Sequence, residues 1–241
     1  MTTIFPKWTN KLPTIIAVGL LGALVCTIWA VWYYATHDYT RVGYMPKQPI
    51  DFSHQVHVGQ LGMDCRYCHT GVEDSYVANI PSAASCMNCH TVADQLSGYL
   101  RAASSLDGQT ASAHWNNQNL MLVRAAYDSG RAIEWRRVHK VPDYAHFSHS
   151  AHLRAGVSCY SCHARIDEMP VVYQAESLSM GWCLDCHRNP EKHLVDTSQV
   201  SLTNLHAVEA MLASADQRER GRTLRDRRRL DPPQHCGACH Y

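Results

Sequence analysis

The chain has 241 residues and a formal charge of +1, with 22 Lys and Arg against 21 Asp and Glu. That balance excludes the basic footprint of a nucleic-acid binder, and the length allows one or two domains. Phe numbers three, Gly and Pro together 23, and eleven cysteines are present, so an ordinary side-chain core is not the expected source of stability.

The first element is an apolar run, LPTIIAVGLLGALVCTIWAVWYY, from Leu12 to Tyr34, which carries no charge. Pro13 suits a first helical turn. The 22 residues from Pro13 to Tyr34 make a helix of about 33 Å, enough to cross a bilayer. Trp8 precedes the run, and Trp29, Trp32, Tyr33 and Tyr34 crowd its end, as interfacial aromatics do. The run is longer than the apolar region of a usual signal peptide, and no A-x-A site follows it. Residues 12–35 therefore read as an uncleaved transmembrane anchor.

A phrase stated twice comes next. FSHQVHVGQLGMDCRYCHTG begins at Phe52, and FSHSAHLRAGVSCYSCHARI begins 95 residues later at Phe147. Each holds two histidines three apart, His54 with His57 and His149 with His152, followed by Cys-x-x-Cys-His. A second such triplet follows in each case, so repeat one spans 49–95 and repeat two 142–195. The connector 96–141 predicts one short helix near Leu120–Tyr127. After residue 195, LTNLHAVEAMLASADQRERGRTLRDRRRL reads as a helix with Leu205, Val208, Met211 and Leu212 on its apolar side. Its arginines, from Arg218 to Arg229, are interleaved with Glu219 and Asp226 and read as a solvated face, with pairing to the propionates of a prosthetic group or to a docking subunit as the sharper alternative. Pro232-Pro233 ends this helix, and a last triplet closes the 196–241 section.

Cys-x-x-Cys-His is the attachment signature of c-type haem: two thiols add across the haem vinyl groups and the adjacent imidazole ligates the iron. It occurs as Cys65-Cys68-His69, Cys86-Cys89-His90, Cys159-Cys162-His163, Cys183-Cys186-His187 and Cys236-Cys239-His240. Composition alone would give about 0.03 copies. Zinc sites and thiol redox centres also use Cys-x-x-Cys pairs, but neither demands a histidine directly after every pair. Ten of the eleven cysteines are used, and Cys26 lies in the apolar run. Five covalent haems on so short a chain are themselves the core, wrapped by short helices and loops. The expected fold is mainly α and coil: one N-terminal transmembrane helix, then an irregular multihaem domain with little sheet. Because c-type haem is attached outside the bacterial inner membrane, 1–11 is expected in the cytoplasm and 36–241 in the periplasm.

Haem iron that only passes electrons is six-coordinate, so each needs a second ligand. Two histidines three apart on a helical turn project from one face yet cannot both serve one side of one iron. They are expected to staple two different haems. The Phe-Ser-His-x-x-His lead-in resembles that of class III cytochromes c. The resemblance implies that His54 serves the haem of His69 and His149 the haem of His163, with His57 and His152 serving others.

A wider resemblance covers nearly the whole chain. SYVANIPSAASCMNCHT, EWRRVHKVPDYAHFSHSAH, RIDEMPVVYQAESLSMGWCLDCHRNPE and the closing CGACHY resemble the pentahaem cytochrome c subunit of bacterial alternative complex III. That resemblance implies an iron–sulfur subunit, quinol-oxidising integral membrane subunits and a monohaem cytochrome subunit as partners. A periplasmic cytochrome or terminal oxidase is the implied acceptor. It favours His139 as the fifth distal ligand, and places Met169 and Met180 in shared segments where either could replace an imidazole. Thioether ligation would raise one potential; packing is the alternative role for both methionines. The function expected is an electron relay within a membrane complex. A small membrane-anchored multihaem quinol dehydrogenase is the alternative. A multihaem reductase would need an open iron, and candidate ligands here outnumber irons.

Overall fold

The computed structural model describes residues 6–37, 42–90 and 117–241. The start of the N-terminal tail, the junction at 38–41, and the first part of the connector with His114 lie outside them. The chain divides into two units, Met1–Arg41 and Val42–Tyr241.

In the first unit, a 3-10 turn at Lys7–Lys11 leads into helix α1, Leu12–His37. The apolar stretch Trp8–Trp32 has a mean hydropathy of 2.3 and none of it is buried in the protein. An exposed apolar surface of that length is stable only against lipid or another apolar surface.

The second unit is built from short helices, each at a haem-attachment motif or beside one. A π-helical turn, Gln55–Gln60, follows His54. Helix α2, Cys65–Cys68, is capped by the Asp64 carboxylate, which accepts from Arg66 N. Helix α3 is Ala83–His90. Helix α4, Gln118–Ser129, starts at an Asn117 cap and ends at Gly130 with φ +67°. These two caps carry the connector helix beyond the Leu120–Tyr127 expected from its apolar residues. It buries Leu120 and Val123, the latter in a cluster with Ile50 and Ala83, against which Met87 and Trp135 pack.

Helix α5, His149–Ala155, is capped by Ser148 and closed by Gly156 at φ +91°. Helices α6, Tyr160–His163, and α7, Met180–Arg188, carry the third and fourth motifs. A 3-10 turn, Pro190–Lys192, follows.

The expected long C-terminal helix is broken into two: α8 at Leu205–Leu212 and α9 at Gln217–Arg228. The break has a chemical cause at Ser214. Its hydroxyl donates to Met211 O at 2.6 Å, and the Arg220 guanidinium bonds Ser214 Oγ at 2.6 Å and Met211 O at 3.1 Å. Side chains thus occupy the carbonyl that a continuous helix would use. Helix α9 packs on the Pro190–Lys192 turn: Gly221 lies against the Glu191 backbone, and Gln217 Nε2 donates to Leu194 O at 2.9 Å. A last 3-10 turn, Cys236–Ala238, holds the fifth motif.

Among the described residues there is no strand, only one antiparallel bridge between Val157 and Leu194. Eleven apolar side chains are buried among them, with Leu194, Val195 and Val208 the largest fully enclosed. That is thin for a unit of this size, as the composition led us to expect. Large apolar residues near the motifs, including Leu61, Tyr76, Val77, Ile80 and Tyr144, remain exposed.

Candidate haem-binding site

Three of the five motif histidines face a second imidazole. His54 and His69 have ring centres 6.4 Å apart with planes parallel to within 1°. His57 faces His90 at 6.1 Å, and His152 faces His187 at 6.1 Å. An imidazole nitrogen sits about 2 Å from a transition metal. Two imidazoles on opposite sides of one ion therefore hold their ring centres roughly 6 Å apart. The spacing is too wide for stacking contact and suits an ion between the rings.

Backbone carbonyls orient these rings. His69 Nδ1 donates to Asn79 O at 2.7 Å, His187 Nδ1 to Pro233 O at 2.6 Å, and His240 Nδ1 to Tyr144 O at 3.0 Å. His57 Nδ1 donates to Ser53 O at 2.9 Å, and His152 Nδ1 to Ser148 O at 2.7 Å. A carbonyl on Nδ1 fixes the tautomer and leaves the Nε2 lone pair for a metal. These carbonyls were not legible as functional positions. Asn79 holds φ +64°, a left-handed conformation that asparagine tolerates, and Pro233 had registered only as a helix stop.

Two phenylalanines position the paired histidines. Phe52 stacks on His57 at 4.3 Å and meets His54 edge-on at 4.9 Å. Phe147 does the same to His152 at 4.5 Å and His149 at 4.8 Å. The duplicated Phe-Ser-His-x-x-His phrase is thus a duplicated geometry. Burial and the neighbouring His69 push His54 down to about 4, and burial lowers His152. Both rings are neutral near pH 7, the state a ligand requires.

His139, expected as a distal ligand, sits differently. Its ring centre is 4.3 Å from that of His163, nearly perpendicular, with His139 Nε2 3.2 Å from His163 Nδ1. That is a hydrogen-bonding contact and leaves no room for an ion between the two rings. Burial pushes His139 down to about 4 and His163 well below its usual range. His149 lies within electrostatic reach of both, its Nδ1 donating to Tyr76 O at 2.8 Å. Met169 is buried, its carbonyl accepting from Gln55 N at 3.1 Å, whereas Met180 is exposed at the start of α7.

The attachment thiols form a succession in space. Cys68 lies within electrostatic reach of Cys86 and Cys89, and Cys65 within reach of Cys159. Cys162 is within reach of Cys186 and Cys183, and Cys183 of Cys239. Burial pushes Cys162 up to about 12 and Cys186 up to about 11, so these thiols are protonated and sit in apolar surroundings. The two repeats are stitched where their first motifs meet. Ser150 N donates to Ser75 O at 3.2 Å and His149 N to Tyr76 O at 3.2 Å, and beyond repeat two Thr203 Oγ1 donates to Asp64 Oδ2 at 2.7 Å. Among the described residues no cluster of three or more His, Cys, Asp or Glu side chains could hold an ion unaided. The paired imidazoles, the thiol pairs and the exposed apolar residues around them fit a flat, apolar, covalently held metal macrocycle.

Residues 50–111 match the family described as cytochrome c7 and related cytochrome c. Over 198 residues, 73% of this chain and 81% of the other, the sequence is 31% identical to the multiheme cytochrome c subunit of menaquinone reductase from Nitratidesulfovibrio vulgaris Hildenborough.

Proposed function

Because the chain belongs to the multihaem cytochromes c, the family of that menaquinone reductase subunit, we propose that it is a membrane-anchored pentahaem electron relay of a quinone-linked complex. The observation that carries this reading is the set of three imidazole pairs at 6.1–6.4 Å. Two protein ligands on one iron close it to substrates and suit it to electron transfer alone. Haem c, once attached, supplies a one-electron carrier at each site. The residues that would hold it are the five thiol pairs Cys65/Cys68, Cys86/Cys89, Cys159/Cys162, Cys183/Cys186 and Cys236/Cys239, with His69, His90, His163, His187 and His240.

The distal partners follow from the rings that face each other: His54 for His69, His57 for His90 and His152 for His187. Repeat symmetry gives His149 to His163. The resemblance keeps His139 as the fifth distal ligand, with Met169 and Met180 as thioether alternatives, while its contact with His163 supplies no pairing to His240. The thiol succession supports a spatial order of motifs two, one, three, four, five, with the two repeats meeting through their first motifs.

Helix α1 supports anchoring at the bacterial inner membrane, and the attachment of c-type haem outside that membrane supports a haem domain on the periplasmic side. The resemblance to alternative complex III supports an assembly with an iron–sulfur subunit, integral membrane subunits and a monohaem cytochrome, passing electrons from quinol to a periplasmic cytochrome or oxidase. The relative is named for menaquinone reduction, which favours a second reading: the same relay running toward quinone.

Purified chain and reconstituted complex separate these readings. The isolated chain should be reduced by dithionite and barely by a menaquinol analogue, and partner subunits should restore quinol-dependent reduction. Electron flow into menaquinone, and not out of menaquinol, would establish the second direction. Saturable, inhibitor-sensitive menaquinol oxidation by the isolated chain would replace both with a self-sufficient quinol dehydrogenase.

A further inference from the structure

Residues 217–229 contain seven arginines and only two acids, Glu219 and Asp226. Two of the arginines fix α9 in place. Arg220 binds the Ser214 corner, and Arg228 donates to Ala155 O at 3.2 Å and Thr197 Oγ1 at 3.0 Å. Arg218, Arg222 and Arg229 are exposed and, among the described residues, their side chains form no ion pair or hydrogen bond. Arg218, Arg222 and Arg225 fall at i, i+4 and i+7, a single row along the helix, and Arg229 closes it as the left-handed C-cap at φ +53°.

This row opposes the stability of its own helix. Like charges four residues apart repel. Arg218 lies in the first turn, where the macrodipole disfavours a cation. Glu219 in the first turn and Arg225 in the last offset part of these costs, and the buried positions, Gln217, Gly221 and Leu224, lie on another side. What the row provides outward is a line of guanidinium forks, whose geometry matches carboxylates two bonds at a time. Its location gives those forks a use. Helix α9 packs on the Pro190–Lys192 turn, which begins three residues after His187, and the row ends seven residues before Cys236.

We propose that Arg218, Arg222, Arg225 and Arg229 form the docking face for an acidic protein that exchanges electrons at the fourth and fifth haem-attachment sites. The electron exchange rests on the relay reading; the docking itself does not. Charge complementarity selects an acidic partner. A phospholipid surface is the weaker occupant, because α1 already provides the apolar attachment a bilayer needs.

The test uses the full haem-loaded chain in detergent and two probes of opposite surface charge: mitochondrial cytochrome c, and the same protein with its lysines succinylated into carboxylates. Association is read by interferometry and electron transfer by stopped flow, across a salt series. The wild-type chain should bind the succinylated probe and lose that binding as salt rises. Arg218→Glu/Arg222→Glu should weaken binding at low salt by about tenfold and flatten the salt dependence, with the haem spectrum unchanged. Arg218→Lys/Arg222→Lys should retain most of the attraction. Equal binding of wild type and the Glu variant overturns the proposal. So does a loss confined to anionic phosphatidylglycerol vesicles, which would make the row a lipid contact. Binding without electron transfer to either probe would leave the docking face standing and count against the relay.

Discussion

Replacing His57 with alanine tests the ligand assignment most directly. The His57 ring faces His90 across 6.1 Å, not His69, which already faces His54. Truncation removes the Phe52 stack, about 1 kcal/mol, and the hydrogen bond to Ser53 O, about another 1 kcal/mol. A loss of about 2 kcal/mol lowers Tm by roughly 4–8 °C in a domain of this size, which leaves the fold intact at 25 °C. The iron opposite His90 should lose its sixth ligand and turn high-spin, a ferric signal worth one haem in five. Axial ligands set haem potentials over about 0.8 V, so one potential should move by an amount on the order of 0.1 V. Electron paramagnetic resonance and a redox titration read both effects, and added imidazole should reverse them. The decisive comparison is with His54→Ala and the double variant. Each single change should convert one haem in five, and the double change two in five. A double variant that still converts only one haem would place both histidines at the same iron and refute the pairing.

His152→Ala should repeat this behaviour at the haem of His187, which it faces at 6.1 Å, with the same spin-state readout. Gly221→Ala should lower Tm by roughly 5–10 °C in a thermal melt, because its Cβ would collide with the carbonyl of Glu191 and lie 2.7 Å from its Cα. Asp64 is held well below the usual carboxylate range, first by its hydrogen bonds to Arg66 and then by Thr203. A depressed value stabilises the folded state above the carboxyl's ordinary pKa and loses that contribution as pH falls through the folded one. Asp64→Asn should therefore lower stability in urea melts at pH 7 and lose its effect under strong acid.

The attachment motifs, the repeat and the long apolar helix were readable in the residues because each follows from local spacing. Cys-x-x-Cys-His fixes its geometry within one turn, and an uncharged run of helical length needs no tertiary partner. The partners of His57 and His152 were not readable. They depend on how the second motif of each repeat folds back, and no local spacing records that. The corner at Ser214 was missed because apolar periodicity continues through it, while the side-chain bonds from Arg220 that make the corner come from six residues further on. The position of His139 beside His163 was hidden for the same reason: the two are 24 residues apart and meet only in the folded chain.

In the facing pairs, each repeat sets its histidines against motif histidines of its own sequence. His54 and His57 face His69 and His90, all within repeat one, and His152 faces His187 within repeat two. On the proposed ligation, a chain exported through a membrane therefore carries the ligands of its first two haems before the second repeat appears. With only eleven buried apolar side chains among the described residues, little is available to fold ahead of haem attachment. Under that ligation the first half can complete its haem sites before the rest of the chain follows.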